Sequence, residues 1–445
     1  MTVHTVPRVA LAAFGRPTFD LEAARIVLGG SARALRALPL ELVAASELLT
    51  DPAAAGAFAR DASDRGADLM VCQFTTFVDD RFIAAAAIPG GPPVALWALR
   101  EAPPVGARLG LNSLTGANLA GARLARARHP FRFAFGNPDD PTLQARLAAI
   151  ARAAAQARRL TRLSVLVVGD QPDGFTFATP GNGRARVALL PLATLFARAR
   201  AVPEEQYAPL VAAAASAVRG LDALPQDQVA KFAQALAVVS AEVERVGADA
   251  VAVRCWPEFF TEYGAAACSL VSALNDRGVA AACEADVLGA MTMDLLSALT
   301  GGPAYLGDLA AIDEARNAAV FWHCGAGAFR LATPRTGAVA GRHPNRQMGF
   351  TLEFALKPGT VTIARLGETE AGLRLLVGGG EALDAPQRFL GTAATVRLDG
   401  ATPLGPRVGR LIEAGWEPHY ALAYGDVRGE LEDVAALAGI PCVGM

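Results

Sequence analysis

Acidic side chains follow two apolar runs in the middle of the chain. The run Asp249–Arg254 has the composition of a buried strand, and Glu258 lies just past its end. A second run, Val279–Cys283, is followed directly by Glu284 and Asp286. Because open parallel sheets bind ligands outside the carboxyl ends of their strands, we expect these carboxylates to face one crevice. Carboxylates that converge there can hold a divalent metal ion or transfer protons.

Each of these carboxylates also has a simpler structural interpretation. Glu258 can be a surface acid in a loop, and Glu284 can be an exposed turn residue. Asp286 begins a predicted helix that extends to Leu299, and aspartate is favoured as the N-cap of a helix. A structural role explains any one of these acids easily. It explains less well why three acids follow the ends of two neighbouring strands. The metal or acid–base interpretation therefore stands beside the structural one.

Histidine is scarce, which makes the position of each one informative. The five histidines are His4, His129, His323, His343 and His419. His323 ends an apolar run, and His419 lies just before another predicted strand, whereas His4 and His129 have surface surroundings. A histidine at a strand end is more often structural than a ligand. Together with two carboxylates, however, it gives the mixed oxygen and nitrogen ligands that suit Mn²⁺ or a similar ion.

The composition is that of a globular protein with more than one domain. The chain has 445 residues, of which 52% are hydrophobic and 19% charged, and its formal net charge is -2. This length predicts two or three domains, and this charge argues against a broad nucleic-acid-binding surface. The six cysteines lack zinc-type CxxC spacing, so we expect reduced, buried thiols in a cytoplasmic protein. The N-terminus shows no signal-peptide pattern and no apolar run reaches membrane-spanning length, which predicts no membrane partner.

The order of elements predicts an α/β fold. Strands and helices alternate through two successive segments, and short β-rich runs separated by Gly, Pro and Asp follow. We therefore predict two doubly wound parallel-sheet domains followed by a C-terminal β-rich domain, a small antiparallel barrel. The predicted domains span residues 1–160, 161–325 and 326–445. The central domain carries Glu258 and Asp286 and is closed by the strand Asn317–His323, while the C-terminal domain carries His419.

Motifs of several other enzyme classes are missing from the sequence. No GxxxxGK[ST] phosphate-binding loop is present, and Gly325-Ala-Gly327 does not complete a GxGxxG pattern. Ser113 and Ser269 lack the motif of a nucleophile elbow. These absences disfavour a dehydrogenase and a serine hydrolase.

The arrangement of these residues resembles the L-fucose isomerase / L-arabinose isomerase superfamily. Cys283-Glu-Ala-Asp286 with its following helix resembles that family's Glu-x-Asp motif, and Glu258 takes the place of the upstream partner glutamate. The segment Trp416–Tyr420 is similar to the C-terminal histidine segment of fucose isomerases. Arg16–Asp20 resembles an Arg-Pro-x-x-Asp motif, and Val94–Trp97 a buried strand that ends in tryptophan. The resemblance spans almost the whole chain, in order.

The resemblance implies a ketol isomerase, an intramolecular oxidoreductase that interconverts an aldose and a ketose through a cis-enediolate. The substrate would be a monosaccharide or a modified sugar such as a deoxy- or sulfosugar. Glu258, Asp286 and His419 would bind Mn²⁺, or another divalent ion such as Co²⁺ or Mg²⁺. Glu258 and Asp286 would also act as the acid/base pair. The protein would form a homo-oligomer, with a hexamer as the expected form.

A wider set of side chains is predicted to contact the sugar. These residues are Arg16, Gln73, Trp97, Asn112, Ser113, Glu284, His323 and Tyr420. Arg16 can bind an anionic substituent such as a sulfonate, or pair with Asp20.

Two other functions stay open at this point. They are a non-catalytic sugar-binding or regulatory protein of the same fold, and a metal-dependent epimerase or lyase.

Overall fold

A computed structural model describes residues 6–101, 109–176 and 185–445, which divide into two compact units. The N-terminal unit runs to Arg159 and includes Gly429–Ile440. The larger unit contains Leu160–Arg428 and Pro441–Met445. The segments predicted as separate central and C-terminal domains thus lie in one compact unit, and a boundary near residue 325 stays a prediction.

The N-terminal unit contains a five-stranded parallel sheet. Its strands are β1 (Arg8–Phe14), β2 (Glu41–Ala44), β3 (Leu69–Phe74), β4 (Val94–Ala98) and β5 (Phe131–Phe135). Its helices are α1 (Leu21–Arg36), α2 (Pro52–Asp64), α3 (Asp80–Ala86), α4 (Ser113–Arg126) and α5 (Pro141–Leu160). The strand order β2-β1-β3-β4-β5 is one of the two common doubly wound orders. All residues of β3 and β4 are buried, as expected for strands covered on both faces.

The first half of the larger unit contains a four-stranded parallel sheet in the order β10-β9-β6-β7. Its strands are β6 (Ser164–Val168), β7 (Arg186–Leu190), β9 (Ala250–Val253) and β10 (Ala280–Cys283), and a two-residue strand β8 (Val218–Arg219) pairs elsewhere. The helices are α6 (Leu192–Arg200), α7 (Glu204–Ala217), α8 (Gln226–Val246), α9 (Cys268–Asp276) and α10 (Val287–Thr300). Val253 pairs with Cys283, so β9 and β10 end level with each other. The predicted strand–helix–strand unit is therefore present, with its acidic residues past both strand ends.

The second half of the larger unit belongs to a ten-stranded mixed sheet. Its remaining strands are β11 (Tyr305–Asp313), β12 (Ala318–His323), β13 (Ala338–Gly341), β14 (Thr351–Ala355), β15 (Gly359–Thr369), β16 (Gly372–Ala382), β17 (Thr392–Leu398), β18 (His419–Tyr424) and β19 (Cys442–Gly444). This segment also contains helix α11 (Leu404–Glu413), whereas α12 (Arg428–Ala438) belongs to the N-terminal unit from Gly429 onwards. Within the sheet, β16, β15, β18, β11, β12 and β17 pair antiparallel in that order. Because β17 pairs back onto β16, these six strands close a barrel.

The position of β12 differs from the prediction. Asn317–His323 was expected to close the central parallel sheet, but β12 pairs antiparallel with β11 and β17 in the barrel. The chain reverses between Asp313 and Ala318 through a short turn. The N–H of Arg316 donates a hydrogen bond to the carbonyl of Asp313 in this turn. A turn of this length can join only antiparallel neighbours, because a parallel connection needs a crossover of a dozen or more residues.

The parallel sheet and the barrel share one hydrophobic core, which explains why they form a single unit. This core contains Val253 and Cys283 from the parallel sheet together with Phe321, Ile363 and Leu422 from the barrel. Among the described residues, no helix combines the length and the apolar character needed to cross a membrane.

Candidate active site

Three side chains converge where the parallel sheet meets the barrel. Glu284 follows β10, His323 ends β12 and His419 begins β18, and one ligand atom from each lies within 4.8 Å of the others. Nε2 of His419 lies 3.1 Å from Oε2 of Glu284 and 3.5 Å from Oδ1 of Asp308. Asp308 faces His419 because the two residues are cross-strand partners in β11 and β18. A fourth donor therefore lies beside the first three.

An unusual backbone turn directs Glu284 towards the histidines. Glu284 and Ala285 have φ angles of 59° and 53°, in the left-handed region that residues with a Cβ rarely adopt. The turn is held by the N–H of Ala285, which donates to the carbonyl of Val253. Nε1 of Trp256 donates to Oε1 of Glu284 at 3.3 Å. Burial alone would raise the pKa of Glu284, but a hydrogen bond with His419 and the nearby imidazoles outweigh burial and lower it.

Asp286 is fully buried and is held by three partners. Its carboxylate receives both Nη atoms of Arg365, at 2.5 and 3.2 Å, and the N–H of Gly289 at 2.8 Å. Nδ1 of His419 lies 2.8 Å from Oδ2. The contact with Gly289 makes Asp286 the N-cap of α10, which confirms the structural interpretation of this residue. Burial would raise the pKa of Asp286, but the Arg365 guanidinium and His419 keep it below its usual range.

The ionised Asp286 determines which nitrogen of His419 is available to a ligand. A carboxylate only accepts hydrogen bonds, so Nδ1 of His419 donates and carries a proton. Nε2 is left to face Glu284 and Asp308. Burial lowers the pKa of His419, but hydrogen bonds to Asp286 and Glu284 outweigh it and raise the pKa to about 10. In the absence of a cation, His419 is therefore an imidazolium between two carboxylates.

His323 has a different arrangement of hydrogen bonds. Its Nδ1 accepts the N–H of Cys324 at 3.0 Å, and its Nε2 is buried with no hydrogen-bond partner in the described part of the chain. The rings of His323 and His419 have centroids 5.6 Å apart. Burial lowers the pKa of His323, so this ring is neutral. With Nδ1 accepting, the ring proton lies on Nε2.

The donors of this site fit a divalent cation. Two imidazole nitrogens and a carboxylate, with a second carboxylate next to them, form the mixed set suited to Mn²⁺ and similar ions. Nε2 of His323 is buried and lacks a hydrogen-bond partner among the residues that the structure describes, and a bound cation could satisfy such an atom. Asp286 bonds the far nitrogen of His419, as the outer carboxylate does in many metal sites.

The structure does not bring Glu258 into this group. Its carboxylate is paired with Arg254, with Nε at 2.9 Å and Nη2 at 2.7 Å. Burial would raise the pKa of Glu258, but these hydrogen bonds outweigh burial and lower it. Of the predicted metal ligands, only His419 belongs to the three-residue group, while Asp286 touches the group through Nδ1 of His419. The geometry thus favours Glu284 and His323 as ligands beside His419, with Asp286 behind His419 and Glu258 paired with Arg254.

The predicted sugar-binding residues of the N-terminal unit are mostly part of its interior. Gln73, Trp97 and Ser113 are buried and already bonded within the unit, to Ser31, to the carbonyl of Gly136 and to the carbonyl of Phe74. These contacts stabilise the unit, and the sugar contacts of the three residues stay predictions.

Two other residues of that set lie nearer the surface. Arg16 is exposed, and its backbone N–H donates to Thr76. Asn112 adopts a φ of 55°, and Oε2 of Glu101 accepts its backbone N–H. In the larger unit, the predicted Tyr420 is buried against Phe321, and burial raises its pKa to about 12. None of these three positions tests the predicted sugar contacts, which stay predictions.

Three residues of the site were not predicted from the sequence. They are Trp256, Asp308 and Arg365. Arg365 carried a usable signal, since an arginine inside the apolar run Val361–Leu366 is rare unless its charge is paired in the core. Asp308 had no such signal, because the run Tyr305–Asp313 mixes polar and small residues and does not mark this aspartate as buried. Asp308 faces the site because β11 pairs with β18, and the sequence does not show that pairing.

The chain is similar along almost its whole length to proteins of one activity. It is 44% identical over 404 residues to a sulfoquinovose isomerase of Alkalicoccus urumqiensis, covering 89% of this chain and 90% of that protein. It is 40% identical over 433 residues to one of Priestia aryabhattai, covering 96% of each. A sulfoquinovose isomerase of Clostridium sp. (strain MSTE9) is 35% identical over 439 residues, with 95% and 96% covered.

The chain belongs to the sulfoquinovose isomerase family. The predicted enzyme class, an intramolecular oxidoreductase that interconverts aldose and ketose, is thereby confirmed. No family model matches the chain. Its place in the wider L-fucose isomerase / L-arabinose isomerase superfamily therefore rests on the motifs described above.

Proposed function

We propose that the protein is a divalent-metal-dependent isomerase that converts a sulfosugar aldose, sulfoquinovose, into its ketose through a cis-enediolate. The convergence of Glu284, His323 and His419 carries this proposal, because it offers three ligand atoms to one cation. The activity named for the relatives supports the choice of substrate. We also propose that it acts in the cytoplasm as a homo-oligomer.

Glu284, His323 and His419 would hold the ion, with Mn²⁺ as the first choice and Co²⁺ or Mg²⁺ as alternatives. Bound there, the ion would supply Lewis-acid stabilisation of the charge that develops on the two substrate oxygens. For His323 to coordinate through Nε2, its ring proton must move to Nδ1, which breaks its bond with the N–H of Cys324. His419 keeps its Nδ1 proton and its bond with Asp286, and only the Nε2 proton of the imidazolium has to leave as the ion binds.

We assign the proton transfer between C2 and C1 to Asp308. The C2–H proton passes to its carboxylate as the enediolate forms, and the same carboxyl group, after its proton exchanges with solvent, delivers a proton to C1 as the C2 carbonyl forms. The proton on O2 moves to O1 in the same interval. Asp308 is suited to this role because its side chain is 34% exposed and lies 3.5 Å from Nε2 of His419. Glu258 and Asp286, the pair first expected, are instead bonded to arginines, and a carboxylate with a lowered pKa is a weak base.

The test is a metal-dependent conversion followed by NMR. Protein stripped with EDTA and reloaded with Mn²⁺, Co²⁺ or Mg²⁺ is incubated with sulfoquinovose in D₂O. We expect the ketose to form only in a reloaded sample, with deuterium incorporated at C1 of the ketose. A C2 epimer or a cleavage product without ketose contradicts isomerisation, and equal activity in the stripped protein contradicts metal dependence.

Single variants separate the proposed base from its competitors. Asp308→Asn is expected to lower kcat by about 10²- to 10⁴-fold, the usual range for a general base, while metal affinity is retained. Glu262→Gln is the matched control, since Glu262 is an exposed carboxylate of the turn that follows Glu258. If Glu258→Gln abolishes deuterium exchange at C2 and Asp308→Asn does not, the base is Glu258.

A further inference from the structure

We infer that Arg365 is a positioning residue of this enzyme, which fixes the orientation of His419 through Asp286. The inference rests on the proposed function in one respect, since it treats His419 as a metal ligand. Arg365 itself is one strand away from the ligand atoms, and its guanidinium reaches them only through the Asp286 carboxylate.

Arg365 and Asp286 form a charge pair that is completely enclosed. Both side chains have 0% exposure. Two N–H···O bonds, from Nη1 to Oδ2 and from Nη2 to Oδ1, join the guanidinium to the carboxylate, and this two-point contact restricts the orientation of the carboxylate as well as its position. Burial of either charge without its partner would be strongly unfavourable, so removal of one side chain leaves the other as an uncompensated buried charge. The carboxylate that receives Nδ1 of His419 is thereby held in one orientation.

The start of α10 is shaped to admit this pair. A Cβ built on Gly289 would lie 2.4 Å from Oδ2 of Asp286 and 3.1 Å from Nη1 of Arg365, so no side chain fits there. The backbone N–H of Gly289 instead donates to Oδ1 of Asp286. The positive end of the helix dipole adds a further favourable interaction with the carboxylate. Asp286 is thus held from the helix side and from the barrel side at once.

The strand that carries Arg365 is itself fixed to both elements. In the barrel β15 pairs with β18, the strand that begins at His419. On the other side, the N–H of Leu366 donates to Oγ1 of Thr292 in α10 at 3.0 Å. Oε2 of Glu417 lies 3.8 Å from Nε of Arg365 and offers a second, weaker counter-charge. Loss of Arg365 would leave the Asp286 carboxylate free to rotate, and His419 would lose its fixed Nδ1 partner.

The experiment measures metal affinity and the state of the His419 ring independently of activity. Arg365→Met and Arg365→Lys are compared with wild type and with Arg374→Met, a matched control on the adjacent barrel strand β16. Arg374 bonds the carbonyls of Ala414 and Gly415 and stacks on Trp416, away from Asp286. Mn²⁺ affinity is measured by calorimetry, and the protonation of the imidazole nitrogens of metal-free protein is read from ¹⁵N-edited NMR.

We expect Arg365→Met to weaken Mn²⁺ binding by about 10- to 100-fold, the usual effect of losing an outer partner of a metal ligand. Arg365→Lys keeps the charge but loses the two-point contact, so its effect is expected to be smaller but of the same sign. In both variants the Nδ1–H signal of His419 shifts or broadens, whereas Arg374→Met leaves affinity and spectrum unchanged. Arg365→Met and Asp286→Asn combined cost no more than the larger of the two, because both act through one contact.

Two results would overturn the inference. One is a folded Arg365→Lys or Arg365→Met protein whose Mn²⁺ affinity stays within twofold of wild type. The other is an Nδ1–H signal of His419 that is unchanged in these variants. If Arg365→Met does not fold, the lysine variant carries the comparison. If wild-type protein binds no cation, the proposed function fails, and the NMR comparison in metal-free protein still decides whether Arg365 positions His419.

Discussion

His419 and His323 point towards the same ligand atoms, but different groups hold their Nδ1 atoms. Nδ1 of His419 donates to a buried carboxylate, whereas Nδ1 of His323 accepts a backbone N–H. The first contact leaves Nε2 of His419 as the nitrogen that a cation can use. A cation would displace an Nε2 proton from either ring, but only His323 would also have to give up its Nδ1 contact. Two buried histidines at one site are therefore prepared for coordination to different degrees.

This difference shows that the hydrogen-bond partner of Nδ1 decides how ready a histidine is to coordinate a cation through Nε2, as much as the neighbouring ligand atoms do. The four donors alone make His419 and His323 equivalent members of one set. The Asp286–Arg365 pair behind His419 makes it the better-prepared ligand, and the Cys324 amide makes His323 the less prepared one. The following predictions test this ranking, beginning with the largest expected effect.

Replacing His419 should have the largest effect on metal binding. In His419→Gln the best-oriented nitrogen is lost, and Asp286 is left facing an amide instead of an imidazole. We expect Mn²⁺ affinity to fall by more than about 100-fold, beyond the range of an outer-partner substitution, together with loss of isomerase activity. Calorimetry and metal analysis after dialysis measure the first effect. His129→Gln, a substitution in the N-terminal unit, is the control and should bind metal as wild type does.

Replacing Asp286 tests the group behind His419. Asp286→Asn keeps the shape of the side chain but presents an NH₂ or a neutral oxygen to His419 and removes the charge that pairs with Arg365. The expected loss in Mn²⁺ affinity is about 10- to 100-fold, smaller than that of His419→Gln. An effect as large as that of His419→Gln would instead indicate that Asp286 binds the cation directly.

Replacing His323 should cost less than either of these changes. Coordination by His323 gives up a hydrogen bond worth about 0.5–1.5 kcal/mol, which offsets up to about tenfold of its contribution to affinity. We therefore expect His323→Gln to weaken Mn²⁺ binding by about tenfold, measured by the same titration. A loss equal to or above that of His419→Gln would overturn the ranking of the two histidines.

The two histidines should also affect the pH dependence of stability with opposite signs. The pKa of His419 is raised from 6.5 to about 10 in the folded protein, so its contribution is complete below pH 6.5. That contribution is lost as the pH rises through 10. The pKa of His323 is lowered, so this ring destabilises the folded protein as the pH falls below 6.5.

Urea unfolding of metal-free protein between pH 5 and pH 10 measures both contributions. We expect the decline in unfolding free energy at high pH to be reduced in His419→Gln and unchanged in His323→Gln. The decline at low pH should be reduced only in His323→Gln. If the high-pH decline is the same in wild type and in His419→Gln, His419 is not charged in the metal-free protein.

The sequence was sufficient to locate the strands that carry the site. The apolar runs that become β9 and β10, and the acids that follow them, predict a crevice at the carboxyl ends of parallel strands. Because histidine is scarce, His323 and His419 at strand ends were identified as candidate site residues. The barrel was also predicted, although without β11 and β12, because a run such as Ala318–His323 is compatible with either sheet.

The orientation of individual side chains could not be predicted in the same way. Glu284 enters the site because it and Ala285 adopt left-handed backbone angles, and neither residue type signals such angles. Glu258 is held by Arg254, four residues earlier, a pairing that depends on the turn after β9. The burial of Asp286 against Arg365 joins residues 79 positions apart, and no local pattern predicts that contact.

The location of the site at the junction of the parallel sheet and the barrel has a consequence for the order of folding. Asp286 meets Arg365 across 79 residues and His419 across 133, so the loops that close these contacts are long. Neither the parallel sheet alone nor the barrel alone supplies all the ligand atoms. A cation that binds only the complete set stabilises the finished native state and no partly folded form. Recovery of Mn²⁺ binding after dilution from denaturant would therefore report the moment at which the two sheets have joined.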